Sequence, residues 1–375
     1  MNKHPSSVTM NSDILYQIAL TIVPQIGDVH AATLLQHFET AKDIFSARKA
    51  ELEKIAGIGT VRAKSIKSFN NFSRAEEEIA FIEKYKIKVL TSKNSGYPTR
   101  LLNCYDAPSV LYYKGNVDLN KQKIISVIGT RNHTDYGKDQ THAIIEELAS
   151  HDVIIVSGLA YGIDADAHRA ALKNNLSTVG VLAHGLDRIY PPAHTLMAKE
   201  IAAAGGLLTD FMSGTQPDKQ NFPKRNRIVA GMADATLVIE TGLKGGSMIT
   251  AELANTYNRD VFALPGKTTD SKSAGCNYLI KTNKAALVSC GKDIIDFMNW
   301  LEHSVTKPVV QKQLFIELSS EEKKITDILM ENLPVHIDEI YQRSQLSSST
   351  VAAAILNLEL QGVIASLPGK LYKLL

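Results

Sequence analysis

Cysteine is scarce in this chain. Three cysteines, Cys104, Cys276 and Cys290, are spread over 375 residues and form no CxxC pair. Cysteines this far apart cannot build a zinc site unaided. An odd and sparse cysteine count fits a reducing compartment.

Long apolar segments are also missing. The N-terminal stretch MNKHPSSVTMNSDI lacks the apolar run of a signal peptide, and no later stretch is apolar enough to span a membrane. We therefore expect a cytoplasmic protein that does not bind a membrane.

A strong charge of either sign is absent as well. The 41 Lys and Arg residues nearly balance the 39 Asp and Glu residues, which leaves a net charge of +2. A surface that attracts polyanions must therefore come from a local cluster and not from the overall charge. The apolar fraction of 44% is normal for a globular protein, and 375 residues are too many for one ordinary domain.

The middle of the chain alternates apolar runs with helical segments. Short runs rich in Val, Ile and Leu mostly end in Gly or a polar turn, which is typical of parallel strands with helices on both faces. We predict an α/β fold with an extended Rossmann-like parallel sheet. The runs are KIISVIG (123–129), DVIIVSG (152–158), STVGVLAHG (177–185), GLLTDF (206–211), ATLVIET (235–241), DVFALPG (260–266) and, as a further strand, AALVS (285–289).

Helical segments flank this core on both sides. Residues 10 to about 85 have the apolar spacing of short helices, and the C-terminal part has three helical segments before GVIASLPGKLYKLL, which predicts a hairpin with PG at its turn. Three helices and a hairpin suggest a winged helix. We predict a helical domain at 1–85, the core at 86–302, a linker at 303–318 and a winged-helix domain at 319–375.

The stretch LEKIAGIGTVRAKSI (52–66) resembles a helix-hairpin-helix of the SAM-like kind. The glycines of its Gly57-Ile58-Gly59 turn leave backbone N–H groups exposed where a DNA phosphate can sit. A degenerate copy lies at 22–35, with Gln25 in place of one glycine. Both copies could equally be packed helical hairpins. The residues expected to make this secondary DNA contact are Gly57, Gly59, Arg62 and Lys64.

Two nucleotide-binding motifs are absent: no strand ends in G-x-G-x-x-G, and there is no G-x-x-x-x-G-K-[ST]. Instead, the first two core strands end in Gly129-Thr130-Arg131 and in Ser157-Gly158. Small residues at the carboxyl ends of parallel strands let the backbone approach an anion. Close helix–strand packing explains the same glycines without a ligand.

Two later segments add to this pattern. Residues 222–227, FPKRNR, place three cations, an amide and an aromatic ring within six positions, a set that suits phosphates and a stacked base. Residues 244–250, KGGSMIT, follow a strand and open a helix, the geometry of a further anion site. Several anion sites along one sheet edge suit a polyanion better than one small ligand.

At these residues the chain resembles the DNA-processing protein A family, DprA, also called Smf. The resemblance is strong over about 95–295. The segments that carry it, in family order, are Tyr97-Pro98, Ala107-Pro108, Tyr113-Lys114-Gly115, Gly129-Thr130-Arg131, SGLAYGIDADAH (157–168), IYPP (189–192), FPKRNRIVAG (222–231), GGSMITA (245–251), FALPG (262–266), Gly275 and Asn277-Tyr278-Leu279-Ile280.

The resemblance implies a function without catalysis. Members bind single-stranded DNA in a positively charged pocket of the core, load the RecA recombinase onto incoming DNA during natural transformation, and dimerise through the core. No metal, cofactor or catalytic residue is expected. The expected DNA contacts are Gly129, Thr130, Arg131, Ser157, Gly158, Tyr161, Phe222, Lys224, Arg225, Asn226, Arg227, Gly245, Gly246 and Ser247.

The sequence also departs from the family. Pro192-Ala193-His194 follow Tyr190-Pro191, where a basic or polar residue and then Asn are common, so His194 is expected to replace the Asn. Tyr161 stands where a cation is common, and it either stacks on a base or packs.

Three other interpretations remain open. The same core resembles phosphoribohydrolases with a PGGxGTxxE motif, and Glu252 is the nearby acid that such an enzyme needs. Asp164 and His168, four residues apart, are a conceivable metal pair. The C-terminal helix SSTVAAAILNLELQ (348–361) is poor in Arg and Lys, so duplex reading and protein contact are equally compatible with it, while Lys370 and Lys373 on the wing could still touch phosphates.

Overall fold

The computed structural model describes residues 7–300, 318–331, 334–367 and 369–374. The chain divides into two compact units, with the boundary between Leu301 and Glu302. Of the predicted linker at 303–318, residues 303–317 lie outside the described residues. Among the described residues, no helix combines the length and the apolar character needed to cross a membrane.

The first unit begins with six helices that form the predicted helical domain. Their apolar faces enclose a small core that includes Leu34, Ala63 and Ile66. Thr40 caps the third helix, because its side chain accepts the Asp43 backbone N–H while the Asp43 carboxylate accepts the Thr40 backbone N–H. The helices are α1 (Ser7–Thr21), α2 (Asp28–His37), α3 (Ala41–Ser46), α4 (Lys49–Glu53), α5 (Gly59–Lys67) and α6 (Phe72–Tyr85).

The two predicted helix-hairpin-helix turns share one backbone feature. Gly57 has φ +83°, the left-handed conformation for which glycine is suited, and Gln25 has φ +67° at the corresponding place in the degenerate copy. The degenerate turn therefore keeps the left-handed residue without its glycine. Ala63 of α5 is fully buried.

The core of the first unit is a nine-stranded sheet. Its order is β1-β2-β6-β5-β4-β3-β7-β8-β9. The seven strands from β3 to β9 are the predicted parallel ones. The strands are β1 (Lys88–Thr91), β2 (Val110–Gly115), β3 (Ile124–Ile128), β4 (Ile154–Gly158), β5 (Thr178–Val181), β6 (Gly206–Thr209), β7 (Ala235–Val238), β8 (Asp260–Ala263) and β9 (Ala286–Leu287).

The sequence prediction did not include the first two strands. β1 and β2 pair antiparallel with each other, and β2 pairs antiparallel with β6, so they extend one edge of the parallel sheet. The segment between them contains one short helix, α7 (Thr99–Leu102), and not the long crossover helix that marks a parallel pair.

Helices cover both faces of the sheet, and each face has its own apolar core. β3 and β4 are buried along their whole length, which explains why their sequences are continuously apolar. The covering helices are α8 (Asp135–Leu148), α9 (Ile163–Lys173), α10 (Thr195–Ala204), α11 (Asn221–Gly231), α12 (Gly246–Thr256), α13 (Ala274–Lys281) and α14 (Gly291–Phe297), with 3₁₀ turns at Ala149–His151 and Pro192–His194.

Hydrogen bonds and an ion pair attach the helical domain to this core. Arg74 of α6 pairs with Glu78 at 2.8 Å, and the Glu78 carboxylate accepts the Ser213 backbone N–H at 3.0 Å. A second attachment joins Asp28 of α2 to Arg227 of α11 at 2.9 Å.

The second unit is the predicted winged helix. Its three-stranded sheet has the order β10-β12-β11, and the hairpin turn contains Gly369 with φ +87°. Ser319 and Glu322 form the capping box that opens its first helix. The elements are α15 (Ser320–Glu331), β10 (Val335–His336), α16 (Ile337–Ser344), α17 (Ser348–Leu360), β11 (Ile364–Leu367) and β12 (Leu371–Leu374).

Candidate nucleic-acid interface

A cavity of 530 Å³ lies at the carboxyl ends of β3, β4 and β7. Connections leave β3 toward β4 on one side, while β7 lies on the other, and this reversal of strand order is where ligands bind in open α/β sheets. The predicted residues that line the cavity are Gly129, Thr130, Arg131, Gly158, Phe222, Arg225, Asn226, Gly245, Gly246 and Ser247.

Arg131 is an exposed cation of this cavity. It lies in the loop after β3, and its guanidinium carbon is 4.9 Å from the centre of the Phe222 ring of α11. Stacking on the ring restrains the guanidinium and leaves its N–H groups available to an anion. Two of the expected DNA contacts, Arg131 and Phe222, are therefore adjacent.

Arg225 is a buried cation in the wall of the same cavity. Its guanidinium donates to the Val181 carbonyl, and its Nε donates to the Asn226 side-chain oxygen at 3.2 Å. Burial lowers the pKa of Arg225, and the negative charge of Asp164 opposes that decrease. Part of this cation is thus used inside the protein.

The predicted anion site after β4 holds one of the protein's own carboxylates. Asp164, in the first turn of α9, accepts a backbone hydrogen bond from Ala160; burial raises the pKa of its carboxyl, while Arg225 opposes the increase. A Cβ at Gly158 would lie 2.4 Å from Asp164 Oδ2 and 2.6 Å from the Arg225 guanidinium. Gly158 therefore makes room for these two side chains.

The N-terminus of α12 offers a different environment. Gly245 is its N-cap, no side chain caps it, and its first turn has no acidic residue. The Ser247 hydroxyl donates to Thr241 Oγ1 at 2.7 Å, and a Cβ at Gly246 would meet nothing within 4 Å. Free backbone N–H groups and the helix dipole make this end of the cavity suited to an anion.

An aromatic recess adjoins the cavity. Arg131, Phe222 and Arg225 line both, and the recess adds Tyr161 and Tyr190. The Tyr190 ring lies 6.3 Å from that of Phe222, and both tyrosines are about half exposed. These rings present flat apolar faces beside the cations.

His194, the expected replacement for the family Asn, is buried behind the recess. Its Nδ1 contacts the Leu159 carbonyl at 3.0 Å, and its ring packs edge-on against Tyr161. This placement positions Tyr161 and keeps His194 out of the cavity.

Three predicted residues lie away from the cavity. Ser157 is fully buried, with its hydroxyl donating to the Val127 carbonyl at 2.6 Å. Lys224 and Arg227 face a second cavity, on the side of α11 toward the helical domain. Arg227 pairs there with Asp28 and with Asp210, at 2.9 and 2.6 Å.

These ion pairs determine the direction in which the pKa of the Arg227 guanidinium is shifted. Burial alone would lower the pKa of its guanidinium, but the carboxylates of Asp210 and Asp28 outweigh burial and raise it. The same burial raises the pKa of Asp210, an effect that Arg227 opposes. Arg227 therefore holds α11 in place and is fully engaged within the protein.

Sequence reasoning missed several residues that line the cavity. Lys219 adds a third cation to Arg131 and Arg225, and Thr241 adds a hydroxyl group beside that of Thr250 from the predicted segment 244–250. Lys219 precedes the basic segment by three positions, in a stretch that includes a Pro and has no strand or helix period. Thr241 ends a predicted strand, so its position at the sheet edge was the available signal.

The residues of the alternative interpretations lie elsewhere. Glu252 does not line the cavity; it is exposed and lies 3.9 Å from Lys284. His168 is fully buried, with its ring nitrogens 2.6 Å from the Gly158 carbonyl and 2.7 Å from Thr178 Oγ1. Within the described ranges, no three His, Cys, Asp or Glu side chains converge in a way that could hold a metal ion.

The helix-hairpin-helix turn is open, but its arginine is engaged. A Cβ at Gly57 or Gly59 would meet nothing within 4 Å. Arg62 donates to the Gln25 carbonyl at 3.2 Å and to the Gly57 carbonyl at 3.0 Å, so it joins the two turns. Lys64 is exposed.

The exposed face of α17 in the winged helix is apolar. Leu356 is 56% exposed and Leu360 is 78% exposed, and the helix has no Lys or Arg. On the wing, Lys370 is exposed and Lys373 is half-buried.

Comparison with known families divides the chain in the same way. Residues 88–299 match DNA recombination-mediator protein A, residues 313–370 match the DprA winged helix domain, and residues 17–79 match the helix-hairpin-helix motif. Protein Smf of Synechocystis is 33% identical and covers 97% of this chain and 99% of its own length. DNA processing protein DprA of Streptococcus pneumoniae is 42% identical over 53% of this chain and 70% of its own length.

Solved structures agree with this assignment. The X-ray structure of DNA processing protein A from S. pneumoniae matches with a TM-score of 0.65 at 32% identity, covering 75% of this chain and 96% of that one. DNA processing protein A from Helicobacter pylori, described with its single-stranded DNA binding mode, matches with a TM-score of 0.52 at 30% identity, covering 57% and 96%. The chain belongs to the DNA recombination-mediator protein A family, DprA/Smf.

Proposed function

We propose that this protein binds single-stranded DNA at the cavity of its core and does so without catalysis. The observation that carries this proposal is the Arg131 guanidinium stacked on Phe222, beside the uncapped N-terminus of α12. The cavity is lined by Arg131, Lys219 and Arg225 against the single acid Asp164, which leaves a positive excess for phosphates.

The adjoining aromatic recess favours a single strand over a duplex. Tyr161, Tyr190 and Phe222 offer ring faces next to the phosphate-binding cations. A base can stack on such a ring only when it is unpaired, and stacking of this kind tolerates any sequence.

Family membership supports a finer proposal. The protein protects incoming single strands and loads the RecA recombinase onto them during natural transformation, as a cytoplasmic homodimer that associates through the core. Membership in the DNA recombination-mediator protein A family and the single-stranded DNA binding mode of the H. pylori relative support this role.

The proposal divides the work among the domains. The core at 86–302 binds the strand through eleven of the fourteen residues expected from the sequence, while Ser157, Lys224 and Arg227 lie outside this contact. The helical domain at 1–85 adds a secondary contact through Gly57, Gly59 and Lys64. The linker at 303–318 joins the core to the winged helix at 319–375.

The phosphoribohydrolase alternative has no specific observation in its favour. Its required acid, Glu252, is exposed and lies beside Lys284 at 3.9 Å. The acid that does line the cavity, Asp164, is buried and already accepts an N–H from Ala160. A general acid or base must reach the substrate atom that it serves, and Glu252 does not line the cavity.

A titration with labelled oligothymidylate at two salt concentrations tests the proposed function. We expect Arg131→Ala to weaken binding about tenfold or more, the value of a hydrogen-bonded charge pair. The slope of log affinity against log salt should become shallower by about 0.7, because the variant neutralises one phosphate fewer.

The matched control is Lys173→Ala, which also removes one exposed positive charge. Lys173 is in the last turn of α9, at the end of the helix remote from the cavity, so affinity and salt slope should stay as in the wild type. Equal losses of affinity in both variants would mean that the effect comes from the overall charge and not from the position of Arg131. Unchanged affinity in Arg131→Ala, or equal affinity for a duplex, would contradict the proposal.

A further inference from the structure

The loop that carries Arg131 is anchored on both sides of that residue. It runs from Gly129 to Thr134, between β3 and α8. Before Arg131, the Thr130 backbone N–H donates to the Glu240 carbonyl at 2.7 Å, and the Thr130 carbonyl accepts the Ile163 N–H at 3.2 Å. These bonds tie the start of the loop to β7 and to α9.

Glu240 also anchors the end of the loop. Its carboxylate is almost fully buried and accepts the Thr134 backbone N–H at 2.9 Å and the Thr134 hydroxyl at 2.5 Å. Thr134 is the N-cap of α8, because its hydroxyl oxygen accepts the Gly137 N–H at 3.1 Å. One acid after β7 therefore fixes both the loop and the helix that follows it.

His133 supplies an anchor in the middle of the loop. Its Nε2 lies 2.7 Å from Asp166 Oδ2, and its Nδ1 contacts the Thr134 carbonyl at 3.0 Å. Asp166 belongs to α9 and is buried, and its other oxygen accepts from Arg169 at 2.7 Å.

Both partners of the His133 ring are hydrogen-bond acceptors. One is the backbone carbonyl oxygen of Thr134, and the other is a carboxylate oxygen of Asp166. Asp166 is shared between His133 and Arg169: its Oδ2 lies 2.7 Å from His133 Nε2, and its Oδ1 accepts from Arg169 at 2.7 Å. The buried Asp166 therefore anchors the loop to α9 through His133.

This anchoring matters because of the residue next to it. Arg131 is exposed and long, and ordering such a side chain and its loop at the moment of binding costs about 0.5–1.5 kcal/mol. A loop that is already held by His133 spares that ordering. The stacking of Arg131 on Phe222 then only has to orient the guanidinium.

We propose that His133, held by Asp166, is a positioning residue that pre-orders Arg131 for the phosphate of a single strand. This inference rests on the proposed function of the cavity. His133 touches no DNA in this account and acts only through the position of Arg131.

The test is a double-mutant cycle in the full chain with labelled oligothymidylate. We expect His133→Ala to weaken binding about two- to tenfold, which is the ordering cost above expressed as an affinity ratio. In an Arg131→Ala background the same change should cost nothing further, because the side chain through which it acts is gone. Asp166→Asn, which keeps the shape but not the charge, should reproduce the loss.

The matched control is His37→Ala. His37 is an exposed histidine of α2 whose Nδ1 also contacts a backbone carbonyl, that of Thr33 at 2.8 Å, and its removal should leave affinity unchanged. Thermal unfolding of each variant confirms that the folded protein is compared. An additive cycle, or wild-type affinity in His133→Ala, overturns the positioning role while Arg131→Ala still weakens binding. If Arg131→Ala leaves affinity unchanged, the proposed function and this inference are both overturned.

Discussion

The two faces of α11 use the same kind of side chain for opposite purposes. On the cavity face, Phe222 stacks under Arg131, and Arg225 lines the wall with part of its guanidinium uncommitted. On the opposite face, Arg227 is paired with Asp28 and Asp210 and bonded to the Asp106 carbonyl. The first face leaves positive charge for a ligand, and the second uses it to join the helical domain to the core.

This difference shows what makes a basic segment a binding site. Arg225 and Arg227 are two positions apart, and they project from different sides of one helix. What separates their roles is the distribution of acids around them, which comes from α2 and from the end of β6 and not from the segment itself. Arg227 pairs with two carboxylates inside the protein and so stabilises the fold, while the exposed Arg131 faces the cavity and remains available to an anion.

The largest expected effect comes from removing the ion pairs on the face of α11 opposite the cavity. Arg227→Ala leaves the buried Asp210 and the half-buried Asp28 without their cation. Removing one partner of such a pair costs about 3–5 kcal/mol in the free energy of unfolding. Urea unfolding measures this decrease. The folded variant should bind single-stranded DNA as the wild type does, and a loss of affinity without a loss of stability would reverse the assignment of the two faces.

The buried His168, which contacts the Gly158 carbonyl behind the cavity, should make the free energy of unfolding depend on pH. Burial lowers the pKa of His168 to about 4, so between pH 6.5 and about 4 the unfolded chain binds a proton at His168 that the folded chain does not. The free energy of unfolding should therefore fall as the pH drops through this window, by about 3 kcal/mol from this group. Unfolding curves across the window measure the slope, which should be smaller in His168→Gln. An equal slope in the variant would show that other groups cause it.

A smaller effect is expected from a change on the cavity face of α11. Phe222→Ala removes the ring under Arg131 and the wall of the aromatic recess, so affinity for a single strand should fall by about 1–3 kcal/mol, the value of one stacked base. Fluorescence anisotropy measures the decrease. Phe211→Ala is the comparison on the other side of α11, because Phe211 lines the second cavity and should leave affinity unchanged. Equal decreases in the two variants would remove the distinction between the faces.

The smallest effect concerns the helix-hairpin-helix. Arg62→Ala removes two hydrogen bonds to exposed turn carbonyls, those of Gln25 and Gly57, and should cost about 1 kcal/mol of stability. Because Arg62 already has these partners, the salt slope of DNA binding should not change. A shallower salt slope in this variant would mean that Arg62 contacts a phosphate after all.

The sequence predicted the sheet well because buried parallel strands are continuously apolar. It missed β1 and β2, which pair antiparallel and lack the crossover helix that marks the parallel strands. It placed Gly129, Gly158 and Gly246 at one edge, but it did not reveal that a Cβ at Gly158 would meet Asp164 and Arg225 while Gly246 faces open space. Which glycine serves packing and which faces a ligand depends on side chains that are distant in sequence.

The same limit applies to the cations. Nothing local distinguishes Arg225 from Arg227, since the deciding carboxylate of Asp28 lies in another domain. Lys219 was missed because it lies in an irregular segment before the helix. Contacts between distant segments, and not local pattern, fix the roles of these residues.

The most direct test of the central claim locates the DNA on the protein. Single strands that carry a photoreactive thymine analogue are cross-linked to the full chain, and the modified peptides are identified by mass spectrometry. The proposed site predicts cross-links to Phe222, Tyr161 or Tyr190. These cross-links should disappear when unlabelled single strands are added as competitor, and they should persist when duplex is the competitor. Cross-links confined to the turn at 57–59 or to α17 would contradict the account.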